Sequence, residues 1–232
     1  MRPDRLNGLD RPIRAVIFDF DGTLTELTLD IPGTIEEVKK IGLRYLDEEA
    51  VRSVSHSLVS ETIYAIEALC RDPEAFRKEA LDKLREMELS VSTGKDLFPF
   101  TREALRALRN EGFRLGILTR SCMEALTLVF PDVMDYIDAV ATREKVRFVK
   151  PHPSHMEKML EMLNVNADES VFVGDQTTDV HTGRLFNMKT VGVLTGKCTR
   201  HDLESVSIDY ILADISELPA FFESLLSTSG NR

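Results

Sequence analysis

The sequence is poor in residues that mark several common classes of protein. Its three cysteines, Cys70, Cys122 and Cys198, have a spacing that suits neither paired disulfides nor a zinc site. It has no tryptophan, which slightly weakens the case for a site that stacks a nucleobase. Basic residues number 29 against 39 acidic ones, and the resulting formal charge of −10 argues against nucleic acid or an anionic membrane as the partner.

Long apolar runs are absent as well. No segment approaches the roughly 18 apolar residues that a transmembrane helix needs, and the charged residues 1–14 are not followed by the apolar region of a secretion signal. We therefore expect a cytoplasmic protein without a membrane partner. The 232 residues, 43% of them apolar, suffice for one core domain with a modest insertion.

Short apolar runs alternate with helical patterns along most of the chain. The runs predict buried strands at residues 13–18, 113–118, 171–173, 190–194 and 210–213, and a weaker one near Ala139. Helical spacing of apolar residues predicts helices at 103–109, 154–163 and 179–186. This alternation indicates an α/β fold, a Rossmann-like parallel sheet with helices on both faces, in which ligands bind beyond the carboxyl ends of the strands.

The segment between residues 31 and 95 interrupts the alternation. It has no convincing strand; apolar residues from Val51 to Leu69 share a helical face, and Pro73 suits the first turn of a further helix. Pro32-Gly33 and Ser92-Thr93-Gly94 are interpreted as hinges at its two ends. We predict a core formed by residues 1–30 and 96–232, and an α-helical cap, residues 31–95, inserted after the first strand.

Asp19 and Asp21 follow the first predicted strand, two residues apart. If the chain stays extended, both carboxylates point to the same side, and a magnesium ion would relieve their repulsion. Gly22 permits a sharp turn there, and Thr23 adds a hydroxyl and an amide donor. An isolated Asp-x-Asp-Gly is also typical of an ordinary turn, so its meaning depends on the other strand ends.

Three later segments place further polar groups at strand ends or in loops. Thr119 ends the second long strand, where its hydroxyl can donate to a phosphate oxygen or cap the next helix. Lys150 lies in a loop that two neighbouring prolines fix. Asp175 and Asp179 are four residues apart after the strand at 171–173, so on a helical turn they share a face and can bind the same cation.

These four segments together resemble the haloacid dehalogenase superfamily of phosphohydrolases. In chain order they are Asp19-Phe20-Asp21-Gly22-Thr23-Leu24, Leu118-Thr119, Lys150-Pro151 and Gly174-Asp175-Gln176-Thr177-Thr178-Asp179. The helical insertion after the first motif is similar to the cap of the phosphoglycolate phosphatase and β-phosphoglucomutase branch. Arg120 departs from the Asn common in that branch; it would bind a carboxylate or second phosphate of the substrate, or else pair with a local acid at the surface.

The resemblance implies a magnesium-dependent phosphomonoester hydrolase that acts on a small phosphorylated metabolite, similar to phosphoglycolate phosphatase. Asp19 would attack phosphorus and form an aspartyl-phosphate. Asp21 would protonate the leaving group and later take a proton from water. Because Asp21 already supplies an acid and a base, His152 and His155 are assigned to loop polarity and helix capping.

The resemblance also implies which groups bind the phosphoryl group and the metal. The phosphoryl oxygens would be held by Thr119, Lys150 and the turn at Gly22 and Thr23. The metal ligands would be Asp19, Asp21 through its backbone carbonyl, Asp175, and Asp179 either directly or through water.

Other functions compete with this one. A phosphotransferase or mutase of the β-phosphoglucomutase type would use the same aspartyl-phosphate, and the core motifs do not separate it from a hydrolase. A phospho-signalling receiver domain distributes its acids differently along the chain and lacks a large helical insertion. A non-catalytic phosphate-binding protein is compatible with the fold, but every motif residue needed for turnover is present. A dehalogenase normally lacks an acid at the position of Asp21. The sequence indicates neither the particular substrate nor the oligomeric state.

Overall fold

A computed structural model describes residues 12–229 of the chain, and six strands in it form one parallel sheet. The strands are β1 Ala15–Phe18, β2 Arg114–Leu118, β3 Ala139–Ala141, β4 Ser170–Gly174, β5 Lys189–Val193 and β6 Tyr210–Leu212. Their order across the sheet is β3-β2-β1-β4-β5-β6, so β1 lies in the middle. Every predicted strand is present, including the weak one at Ala139, and the prediction of an α/β fold with a parallel sheet is confirmed.

Eleven α-helices accompany the sheet within the described residues. They are α1 Ile31–Gly42, α2 Glu48–Ser53, α3 Val59–Leu69, α4 Pro73–Ser92, α5 Thr101–Asn110, α6 Met123–Val129, α7 Val133–Tyr136, α8 Pro153–Leu163, α9 Thr177–Arg184, α10 Arg200–Ser205 and α11 Leu218–Ser229. In this part of the chain, no helix has the length and apolar character needed to cross a membrane.

The chain divides into two compact units. The sheet unit comprises the chain up to Leu27, Asp96–Arg120 and the chain from Phe130 onward, and the helical unit comprises Thr28–Lys95 and Ser121–Val129. Residues 121–129, which we expected in the core, join the helical unit because Glu88 of α4 accepts the amide of Cys122 at 3.2 Å and Arg85 pairs with Glu124 of α6. Residues 1–11 and 230–232 of the predicted core lie outside the described residues.

The sheet unit is built around strands that are apolar on both faces. All four residues of β1 are fully buried, as parallel strands covered by helices on each side require. One side of the sheet packs against α8, whose Met156, Met159 and Leu163 enter a cluster with Ile17 and Phe172. These methionines fill core space, as their helical spacing indicates.

The helical unit has a hydrophobic core of its own. Its buried members are Ile35, Val38, Ile41, Val54, Val59, Ile63, Ile66, Phe76, Ala80 and Leu84. The prediction of one helical stretch from Val51 to Leu69 is wrong, because α2 ends at Ser53 and α3 begins only at Val59. Val54 at the end of α2 is extended and still buried, so the chain changes direction while its apolar side chains stay in the core.

One of the two predicted hinges lies inside a helix. Pro32 and Gly33 belong to the first turn of α1, where Asp30 accepts the amide of Gly33 at 3.2 Å, so this prediction is wrong. Pro73 opens α4 as predicted, with Asp72 accepting the amide of Ala75 at 3.1 Å.

Residues 28–95 leave the sheet unit and return to it at one place. Thr25 and Leu97 form an antiparallel bridge, Phe98 donates its amide to the carbonyl of Leu24 at 3.0 Å, and the Thr25 hydroxyl donates to the carbonyl of Asp96 at 2.6 Å. We call this paired segment, residues 24–25 and 96–98, the stem. Its two sides belong to the sheet unit, and the insertion runs between them.

Candidate active site

The carboxyl ends of the central strands bring the predicted segments together. Phe18 of β1 is level with Ile117 of β2 and with Val173 of β4, so the residues that follow these strands lie at the same edge of the sheet. The amide of Asp19 donates to the carbonyl of Val173 at 2.8 Å, which holds the first motif beside the last. This edge, where the strand order reverses at β1, is where ligands of such sheets bind.

Three carboxylates meet at this edge. Asp19, Asp175 and Asp179 each offer an oxygen, and these oxygens all lie within 4.8 Å of one another. The residues are 4%, 0% and 3% exposed. The half-buried side chain of Asp21 is not a member of this carboxylate cluster, and the use of its backbone carbonyl toward a metal stays a prediction.

Lys150 supplies a positive charge inside the carboxylate cluster. Its Nζ lies 2.7 Å from Asp19 Oδ1 and 2.8 Å from Asp179 Oδ1, and the side chain is only 1% exposed. A buried ammonium is costly unless paired, so its two carboxylate partners account for its burial. One ammonium nevertheless leaves three buried carboxylates short of positive charge.

Asp175 carries the clearest sign of that shortage. Its Oδ1 accepts the Thr23 hydroxyl at 3.1 Å, but its Oδ2 is buried and has no hydrogen-bond partner within residues 12–229. Burial raises the pKa of Asp175 to about 8, and repulsion from Asp19 and Asp179 adds to the effect. Burial also raises the pKa of Asp19 to about 6, although Lys150 opposes this rise.

The donor set of the cluster fits a magnesium ion. Hard carboxylate oxygens are the ligands that Mg²⁺ prefers, and the unpartnered Asp175 Oδ2 lies among them. A divalent cation bound by Asp19, Asp175 and Asp179 would supply the missing positive charge and would satisfy that oxygen.

The turn after Asp21 is bonded to other parts of the protein. The amide of Gly22 donates to the carbonyl of Thr25 at 2.7 Å, and the Thr23 hydroxyl donates to Asp175, so these groups are engaged with the protein itself. Gly22 has φ +92°, and a Cβ there would lie 2.4 Å from Asp175 Oδ2. Gly22 and Thr23 thus fix the position of Asp175, and their contact with the phosphoryl group stays a prediction.

Residues 195–196, which are outside the predicted motifs, lie against the carboxylate of Asp175. After β5, the Thr195 hydroxyl donates to the carbonyl of Gly22 at 2.6 Å, and a Cβ on Gly196 would lie only 1.8 Å from Asp175 Oδ2. Their position in the sequence could have indicated this, because Thr195 and Gly196 come shortly after β5, a buried strand of the same sheet. The spacing of the motifs does not include them.

Thr119 is bonded to the end of β3, and Arg120 is bonded to the Lys150 loop. The amide of Thr119 donates to the carbonyl of Ala141 at 3.0 Å, and Thr119 is buried. Arg120 donates through Nε to the carbonyl of Lys150 at 2.9 Å, and its Nη2 is buried without a partner among the described residues. Burial raises the pKa of Asp19, and Lys150 opposes that rise. The positive charge of Arg120 opposes it as well, but more weakly than Lys150 does.

A parallel α/β sheet with buried acids and a lysine at the carboxyl end of its central strands defines a class of phosphoryl-handling hydrolases. The chain belongs within that class to the haloacid dehalogenase-like hydrolase family, whose model matches residues 16–193. The family resemblance inferred from the motifs is therefore confirmed, and so is the prediction that the protein is a phosphatase-type enzyme.

Individual relatives agree with this family. The chain is 26% identical over 211 residues to the pyrophosphatase PpaX of Oceanobacillus iheyensis, covering 89% of this chain and 95% of the relative. A predicted phosphoglycolate phosphatase from Haemophilus somnus 129pt shares the fold, with TM-score 0.61, 18% identity, and 90% and 98% of the two chains covered. A putative β-phosphoglucomutase from Bacteroides vulgatus does so with TM-score 0.63, 20% identity, and 93% and 90% covered.

Proposed function

We propose that the protein is a magnesium-dependent hydrolase of a small phosphorylated compound and that it works through an aspartyl-phosphate on Asp19. The observation that carries the proposal is the buried contact of Lys150 Nζ with both Asp19 and Asp179, beside Asp175. This arrangement puts a nucleophile, an ammonium and a candidate metal site within a few ångströms of one another. All the residues involved belong to the sheet unit, which is therefore our choice for the catalytic core.

Asp19 is well placed to act as the nucleophile. Its Oδ1 accepts the amide of Phe20 at 2.6 Å and contacts Lys150, so the carboxylate is fixed at the carboxyl end of β1. In the first step a carboxylate oxygen forms a bond to phosphorus while the bond from phosphorus to the leaving oxygen breaks. Lys150 and a bound magnesium ion would reduce the repulsion between the carboxylate and the phosphoryl oxygens.

Asp21 is the proposed acid and base. It follows Asp19 by two residues and is half-buried, which leaves it accessible to a leaving group and to water. The protonated Asp21 carboxyl gives its proton to the leaving oxygen in the first step. In the second step the Asp21 carboxylate takes a proton from the water that attacks phosphorus, which releases phosphate and restores Asp19. Thr119 is proposed to bind a phosphoryl oxygen next to Lys150.

Arg120 supports a substrate with a second anionic group. Its Nε is anchored by the carbonyl of Lys150, while the buried Nη2 has hydrogen-bonding capacity left over. An anchored guanidinium binds a carboxylate or phosphate with a fixed geometry. Phosphoglycolate and pyrophosphate both carry such a group, and a pyrophosphatase is among the relatives.

The test is to incubate the purified protein with magnesium and a panel of phosphate compounds and to measure released inorganic phosphate. The panel contains phosphoglycolate, pyrophosphate, a sugar phosphate and p-nitrophenyl phosphate. We expect hydrolysis in magnesium, none in excess chelator, and none with Asp19→Asn. The matched control is Asp135→Asn, which changes an exposed aspartate of α7 and should leave the rate unchanged.

Two outcomes would contradict the proposal. Full turnover by Asp19→Asn would remove the nucleophile, and undiminished activity in chelator would remove the metal. Transfer of phosphate between carbon compounds, without release of inorganic phosphate, would favour a mutase instead. A cytoplasmic location remains a prediction from the sequence.

A further inference from the structure

His155, in the first turn of α8, is fully buried and lies next to the candidate active site. Its Nδ1 is 3.0 Å from the amide nitrogen of Lys150, and its Nε2 is 3.0 Å from the carbonyl oxygen of Ala141 at the end of β3. Helix capping, the expected role, belongs instead to the exposed His152, whose Nδ1 accepts the amide of Ser154 at 3.3 Å.

The two bonds of His155 determine its tautomer. A backbone N–H can only donate, so Nδ1 must be the acceptor and carry no proton. A carbonyl can only accept, so Nε2 must carry the proton and donate it. Burial lowers the pKa of His155 to about 3, and the nearby positive charge of Lys150 adds to this. The ring is therefore neutral, and both of its nitrogens are used.

The partners of His155 connect it to both sides of the candidate active site. The carbonyl of Ala141 that accepts from His155 also accepts the amide of Thr119 at 3.0 Å. The Lys150 backbone is held on its other side by Arg120. One imidazole therefore joins the end of β3, to which Thr119 is also bonded, to the loop whose ammonium lies between Asp19 and Asp179.

We propose that His155 is a positioning residue for the reaction: its neutral imidazole fixes the backbone of Lys150 to the end of β3 and so holds the Lys150 ammonium in place between Asp19 and Asp179. The kinetic part of this inference rests on the proposed function. A buried histidine that only fills the core would have no energetic connection to Lys150.

Three substitutions separate the two bonds. His155→Asn keeps an acceptor near the place of Nδ1, His155→Gln keeps a donor near the place of Nε2, and His155→Leu removes both. We expect His155→Leu to lower kcat by about tenfold to a hundredfold, as a misplacement of about 1 Å does, with a smaller change in KM. His155→Asn should recover most of that loss and His155→Gln should not. His152→Asn is the control and should keep the parent rate.

The decisive measurement is the double variant with Lys150→Met. If His155 acts through Lys150, then adding His155→Leu to Lys150→Met should reduce kcat no further, while its effect on the unfolding midpoint should remain. The proposal would be overturned if the reductions in kcat caused by His155→Leu and Lys150→Met multiplied in the double variant. It would also be overturned if His155→Asn and His155→Gln restored kcat equally, and His155 would then be a structural residue.

A second readout is independent of turnover. The ¹⁵N spectrum of the full protein should show His155 as a neutral ring protonated at Nε2 between pH 5 and 8, and Lys150→Met should leave this tautomer in place. An imidazolium or an Nδ1–H ring would refute the inference. If the wild type hydrolyses nothing while the spectrum is as expected, the proposed function fails and the Lys150–His155 bond stands.

Discussion

Replacing Asp175 by Asn should abolish activity and, at neutral pH without metal, stabilise the fold. The Asp175 carboxylate is fully buried; one of its oxygens accepts the Thr23 hydroxyl, and the other has no hydrogen-bond partner in the part of the chain that the structure describes. The amide of Asn has the same shape and no charge, so it removes the repulsion toward Asp19 and Asp179. It also removes a ligand from the proposed magnesium site, which is why turnover should be lost.

The magnitude follows from the pKa of Asp175, which burial raises from 3.8 to about 8. Between these two values the native protein binds more protons than the unfolded chain, so the free energy of unfolding falls as the pH rises. The slope is at most about 1.4 kcal/mol per pH unit. Between pH 5 and pH 7, Asp175 should therefore lower the free energy of unfolding of the metal-free protein by about 2–3 kcal/mol. The Asn variant should not show this decrease.

The assay is urea unfolding in excess chelator at pH 5, 6 and 7. The difference in the free energy of unfolding, Asp175→Asn minus wild type, should grow by about 2–3 kcal/mol over this range. Added magnesium should then reduce the difference, because the ion stabilises only the native wild type. The exposed Asp135→Asn serves as the control and should follow the wild type. Parallel pH profiles for Asp175→Asn and wild type would refute the reasoning.

Three further predictions concern other parts of the molecule. Gly196→Ala places a methyl group where Asp175 now lies, so the magnesium concentration for half-maximal activity should rise about tenfold or more; an unchanged magnesium titration would contradict this. Lys150→Met leaves Asp19 and Asp179 without their ammonium and should lower kcat by at least about a hundredfold, measured in saturating magnesium; a kcat close to that of the wild type would mean that Lys150 is only structural. Phe76→Ala empties a fully buried position of the helical unit and should cost about 3–5 kcal/mol in urea unfolding, whereas Leu43→Ala, at a half-exposed position, should cost under about 1 kcal/mol; similar costs would argue against the packing described.

The strands could be predicted because each buried strand is recognisable from its own few residues. A parallel strand covered on both faces is a short continuous apolar run, and the run that forms β1 ends at Asp19, whose carboxylate belongs to the cluster. The family motifs then required only that the carboxyl ends lie at one edge. The contacts of Lys150 with Asp19 and Asp179 are what that arrangement predicts.

What escaped prediction depends on contacts between distant parts of the chain. Val54 fits a helical pattern with its neighbours, and only its place in the core of the helical unit shows that the helix has already ended. Thr195 bonds to Gly22, which is 173 residues earlier, so no local spacing marks it. The sequence gives His155 no role in the reaction, because Asp21 already serves as the acid and the base. Its two hydrogen bonds serve the backbone instead.

The stem at residues 24–25 and 96–98 allows the insertion and the sheet unit to evolve separately. Because residues 28–95 leave and rejoin the sheet unit through one short antiparallel pairing, residues can be gained or lost between its two sides while the strands before and after keep their register. Asp19 lies upstream of the stem, and Thr119, Lys150 and Asp175 lie downstream. The helices of the insertion can therefore diversify from one descendant to another while the reaction chemistry is inherited intact.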